Sequence, residues 1–68
     1  MENKEVQAIG LKLDDAWKKI LKNREAMERL LSKGVSYSSP KLVELDEQNF
    51  RLAQELHQLE NQWNELMQ

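Results

Sequence analysis

Val6, Ile9, Leu13, Ala16, Ile20, Asn23, Met27 and Leu30 advance through the first half of this chain by alternating steps of three and four. Leu42, Leu45, Asn49, Leu52, Leu56, Leu59, Trp63 and Leu66 do the same through the second half. Such steps are the heptad seam of a coiled coil, in which a and d side chains of one helix meet those of another. Paired from the outside inward, from Val6 with Leu66 to Leu30 with Leu42, the residue numbers always total 72. The chain therefore folds back on itself about Ser36, with an a residue of one helix facing a d residue of the other in each layer. Two heptad series always mirror about some point, so the register rests on two further facts. The mirror point falls among helix breakers, and the only polar layer matches Asn23 with Asn49, a coincidence expected about once in eight with eight layers. The expected fold is all-α: an antiparallel two-helix hairpin with a coiled-coil seam, associating into a four-helix bundle.

The punctuation of the sequence agrees with the seam. A single helical-hairpin domain over 1–68 is expected, with a helix at about 4–33, a loop at 34–39 and a helix at about 40–66. Asn3 suits an N-cap. Lys33 favours the negative end of the first helix dipole, Gly34 can take the left-handed position beyond it, and Val35 can fold back on Leu30 or Leu31. Ser39-Pro40 reads as N-cap and first residue of the second helix, because proline lacks only an N–H that is unpaired there. Tyr37 is expected to lid the loop end of the seam near Leu30 and Leu42. Gly10 costs its helix about 1 kcal/mol relative to alanine, but it lies beside the Ile9–Trp63 layer, where a missing side chain makes room for the indole. Large against small recurs where Ala16 faces Leu56 and where Trp17 flanks Ala53.

A chain of 68 residues rarely obtains more than about 3–5 kcal/mol from one core, and a two-helix hairpin offers only one stripe per helix. Association with itself or with a partner is expected. There is no cysteine to compensate through disulfides or thiolate metal sites, and no cofactor is expected. Met1-Glu2-Asn3-Lys4-Glu5 carries charge where a signal peptide needs an apolar run, and no apolar stretch approaches the roughly 18 residues of a membrane span. The expectation is a cytoplasmic protein without membrane insertion. From Met1 to Gly34 eight basic residues stand against six acidic ones, giving +2; from Val35 to Gln68 two stand against six, giving −4, in accord with the total of −2. The halves attract one another, and Arg24 is expected to approach Asp46 on one flank and Lys19 to approach Glu55 on the other, with Lys33 and Lys41 meeting unfavourably. An acidic chain is poorly suited to phosphate backbones, so nucleic acid is not expected as a partner.

Few residues invite catalytic chemistry. His57 is the only histidine, sits at a b position outside the seam, and has no second ligand at metal spacing. Asp14 and Asp15 point in different directions on a helix. Asp46-Glu47-Gln48-Asn49 has a D-x-x-N spacing that resembles the acid and amide pairs of helical phosphatases acting on response regulators. Small helical hairpins of the sporulation aspartyl-phosphatase family share this size, and the resemblance implies an alternative reading as an aspartyl-phosphate phosphatase. Their Ser-Gln-Glu-Leu-Asp signature is absent here, where the stretch reads Leu45-Asp46-Glu47-Gln48-Asn49-Phe50, and Asn49 falls on the seam. The row Lys12, Lys19, Lys22, Arg29 and Lys33 supplies a second alternative, a small RNA-binding helical hairpin dimer, although Asp15 interrupts it. Asn23 and Asn49 are expected to specify register, since a slipped pairing leaves buried amides without partners.

A second apolar set lies off the seam. Trp17, Leu21 and Leu31, with Val43, Phe50 and Ala53, occupy e and b positions on one flank, while Lys12, Lys19, Lys22, Arg29, Gln48, Arg51, Glu55 and Gln62 make the other flank polar. A one-sided apolar face rich in aromatic residues marks an interface. It suits a homodimer that forms a four-helix bundle, a helix from another protein, or both. In size and hairpin form the chain resembles the co-chaperones of type III secretion needles. The sequence thus points to a non-enzymatic protein–protein interaction module, an adaptor, regulator or chaperone-like protein, working through this face.

Overall fold

The computed structural model describes residues 4–68 as two antiparallel helices, α1 (Lys4–Ser32) and α2 (Pro40–Met67), forming a rod of 52 × 15 × 13 Å. Asn3, the expected cap of the first helix, lies outside the described residues. Both helices stay within two residues of the bounds expected from the sequence. Ile9, Ala16 and Ile20 of α1 and Leu42, Leu45, Leu56 and Leu59 of α2 are buried, and all seven are seam positions. The remaining nine seam side chains are half-buried, and none is exposed.

Two contacts between the helices fix the register. Asn23 Nδ2 donates to Asn49 Oδ1 at 3.0 Å, and a Cβ placed on Gly10 would stand 3.1 Å from Cζ3 of Trp63. A slip of one heptad would separate both, because seven residues at about 1.5 Å each displace one helix past the other by about 10 Å. The indole therefore occupies space that any side chain at position 10 would claim. We expect Gly10→Ala to leave the melting temperature within a few degrees of the parent, since a gain of about 1 kcal/mol in helix propensity offsets a small displacement of Trp63. Gly10→Leu, which cannot be absorbed by so small a movement, should cost about 1–3 kcal/mol. Thermal unfolding followed by circular dichroism checks both, and equal melting temperatures for the two variants would show that the indole is not held at this layer.

The end of α1 is set by local chemistry. Gly34 has φ +86°, the amide of Val35 donates to the Leu30 carbonyl at 3.1 Å, and the amide of Gly34 donates to the Leu31 carbonyl at 3.0 Å. This is the Schellman pattern, in which a left-handed residue lets two N–H groups satisfy carbonyls that the helix leaves open. Val35 is half-buried, as the accompanying return of an apolar side chain requires. Only glycine adopts such a φ without strain. Ser39 caps α2: at φ −64° and ψ 143° it lies outside the helix, its Oγ accepts from the Leu42 amide at 3.3 Å, and Pro40 follows at the first turn.

Tyr37 does not lid the seam; it is 79 % exposed at the tip of the loop. The Ser38 amide donates to Ser36 Oγ at 3.2 Å, the two hydroxyls lie 2.9 Å apart, and the Ser39 amide donates to the Ser36 carbonyl at 3.0 Å. A turn closed by its own serines carries the intervening ring outward. Leu42, the apolar residue it was expected to cover, is nevertheless 2 % exposed.

Candidate interaction surface

On the seam's polar layer the amides bond across the helices. Asn23 Nδ2 donates to Asn49 Oδ1 and also lies 3.3 Å from Gln48 Oε1, while Asn49 Nδ2 donates to the Ile20 carbonyl at 3.4 Å. Gln48 Nε2 continues the chain to Glu44 Oε1 at 3.3 Å. The layer therefore opens toward the polar flank through Gln48, beside Lys19, Lys22 and Arg51. Among the described residues no buried side-chain nitrogen or oxygen is left without a partner.

The other flank is apolar. Trp17 is 48 % exposed, Leu21 50 %, Val43 43 % and Phe50 66 %, with Ala53 also exposed and Leu31 half-buried. Trp17, Leu31, Phe50 and Ala53 border one open groove of about 1000 Å³, whose seam side is formed by Ile20, Met27, Asn49 and Leu56. Leu21 and Val43 share the flank but do not border the groove. Its charged border consists of Arg24, Glu28, Asp46, Glu47 and Arg51. Arg51 was expected on the polar flank only; standing beside Phe50 in the chain, it borders both grooves. Arg24 and Asp46 at the border are e residues beside the seam, so the heptad assignment alone carried the signal for them.

The charges pair differently from the sequence expectation. Lys18 bonds Asp14 at 2.9 Å, Lys19 bonds Asp15 at 3.0 Å, and Arg29 stands 3.8 Å from Glu25. Lys19 thus pairs along its own helix rather than with Glu55, and Arg24 does not close an ion pair with Asp46. Acid four residues before base is the favourable order on one helix, where the two side chains are neighbours on adjacent turns. The hydrogen bond and charge of Asp14, helped by Asp15, raise the Lys18 ammonium above its usual pKa. Asp14 and Asp15 diverge, as their separate lysines show.

The other residues considered for chemistry are dispersed. His57 is exposed and adjoins Phe50 and Ala53 in a shallow depression along α2. Asp46 and Asn49 both border the apolar groove, but the Asn49 amide is engaged at both ends by Asn23 and Ile20. Among the described residues no three His, Cys, Asp or Glu side chains converge as metal ligands, and no helix is long and apolar enough to cross a membrane. Of the basic row, Lys12, Lys22 and Lys33 are exposed along with the paired Lys19 and Arg29. Against protein-family models, curated proteins and solved structures the chain finds no match, so its role is read from its own residues.

Proposed function

We propose that this chain is a non-enzymatic protein–protein interaction module, adaptor, regulator or chaperone-like, whose working surface is the flank bearing Trp17, Leu21, Leu31, Val43, Phe50 and Ala53. One observation carries the reading: of the large apolar side chains left in water along the helices, Trp17, Leu21, Val43 and Phe50 gather on that flank, with Leu11 standing alone on the outer face of α1 and Met67 at the end of α2, while the opposite flank presents Lys19, Lys22 and Gln48. An aromatic and aliphatic cluster with charged residues at its border has the anatomy of an interface, in which a few large side chains at the centre supply most of the binding energy. Phe50, the most exposed of the set, is the side chain whose environment changes most when the face is covered.

Truncation of that ring is the direct test. Phe50→Ala should leave the far-ultraviolet spectrum of the hairpin close to the parent, because the residue lies off the seam. It should weaken association through the face, with a second copy or a captured helical partner, by about 2 kcal/mol or more, roughly thirtyfold in Kd. Gln62→Ala, on the polar flank and away from the groove, should change neither quantity. Sedimentation and a binding titration on the two variants decide the matter; indistinguishable behaviour of Phe50→Ala and the parent in both removes the case for this face.

A further inference from the structure

Resting on that reading, we infer that the occupant of the apolar groove is a second copy of this chain, with the two loops at the same end and α1 of each copy against α2 of the other. The area is sufficient. One long face of a rod of 52 × 15 × 13 Å measures about 700–800 Å², close to the roughly 800 Å² per partner that a stable dimer buries.

Charge chooses both the occupant and its direction. The half containing α1 carries +2 and the half containing α2 carries −4, so the hairpin is complementary to itself when unlike helices meet. A two-fold axis parallel to the helices achieves this, and every neighbouring pair in the resulting four-helix bundle is then antiparallel. The alternative, an axis across the helices, sets α1 against α1 and α2 against α2. It also brings Arg24, near the middle of the apolar set, against its own copy.

The same-end arrangement keeps the layers aligned. Trp17 then meets Ala53 of the second copy, Leu21 meets its Phe50, and Leu31 meets its Val43, so the bulky indole is set against a methyl. Arg24, without an ion pair in the single hairpin, comes to the layer where the other copy offers Asp46 and the face of Phe50, a carboxylate and a cation–π acceptor.

The test uses the full chain with a nitroxide on a cysteine introduced at the exposed loop, Tyr37→Cys. Sedimentation across micromolar concentrations should show a dimer, and pulsed electron resonance should place the labels within about 25 Å, given helices about 10 Å apart. Opposed loops would put them about 40 Å apart, because each tip lies 13 residues, or about 20 Å, from the level of Phe50. A monomer at 200 µM overturns the second copy, while Phe50-dependent capture of a heterologous helix would keep the interaction reading alive. A dimer indifferent to Phe50→Ala overturns the groove as its seat, and the interaction reading of this face falls with it only where capture of a helical partner is equally indifferent. A dimer with labels near 40 Å overturns the arrangement.

Discussion

Leu56→Ala is expected to unfold the hairpin at room temperature. Leu56 is 7 % exposed and belongs to the layer of Ala16, itself 3 % exposed, so the substitution sets two alanines against each other and leaves a void. Buried leucine-to-alanine changes cost about 2–5 kcal/mol. That is comparable to the whole 3–5 kcal/mol that a core of this size supplies. Circular dichroism should therefore show most of the helical signal lost. The informative variant is the exchange, Ala16→Leu combined with Leu56→Ala, which restores the volume of the layer from the opposite helix. If the two residues share a layer, the exchange should recover most of the helical signal and a cooperative transition, because cores tolerate redistribution when total volume is kept. Ala16→Leu alone should destabilise by overpacking. An exchange variant no more folded than Leu56→Ala would show that residues 16 and 56 do not meet.

That layer illustrates which parts of the molecule could be read in advance. The seam was legible because its signal repeats: sixteen positions share one periodicity, and a register displaced by anything other than whole heptads would expose leucines and bury charges. The ends of the helices were legible because Gly34 and Ser39-Pro40 each act on backbone within a few residues, with no dependence on distant packing. Tyr37 was misread for the opposite reason. Its direction depends on hydrogen bonds among Ser36, Ser38 and Ser39 that leave no periodic trace. The ion pairs went astray because Lys19 had two acids within reach, Asp15 on its own helix and Glu55 across the seam. Exposed pairs differ too little in energy for heptad geometry to choose between them. On the apolar flank, spacing identified the residues left over by the seam, and the structure adds the groove that Trp17, Leu31, Phe50 and Ala53 share with Arg24 and Asp46. What covers the groove depends on a second surface, and this sequence contains that surface only if the chain meets itself.

The Asn23 and Asn49 layer should behave inversely to the leucine layers. Replacing both residues by leucine removes three hydrogen-bond contacts, Asn23 to Asn49, Asn23 to Gln48 and Asn49 to Ile20, and puts two apolar side chains into positions now half-buried. Hydrogen bonds exchanged for water contribute about 1 kcal/mol each or less when partly exposed, and removing both partners of a pair leaves little unpaired. At about 0.5 kcal/mol for each of these partly exposed bonds the loss is about 1.5 kcal/mol, and two leucines, each gaining about half of the 1.5–3 kcal/mol of full burial, return about 1.5–3 kcal/mol. We expect a net gain of up to about 1 kcal/mol, which for a domain of this length is a rise of up to roughly 4–8 °C in melting temperature. The single variants should not share the gain. Asn23→Leu leaves the Asn49 carbonyl oxygen facing leucine, and Asn49→Leu leaves the Ile20 carbonyl without its side-chain donor. Calorimetry on all three separates a paired layer from two independent amides: in the first case the double variant exceeds the sum of the singles, and in the second the effects add. The same double variant should lose uniqueness while gaining stability. With a leucine in every layer but that of Ile9 and Trp63, a hairpin shifted by one heptad buries nearly as much as the native one, and nothing in the seam opposes it except the indole against Gly10. Light scattering should then resolve more than one species where the parent gives one. A double variant that melts lower than the parent, or that remains a single species, would show that the amides do something other than hold the register.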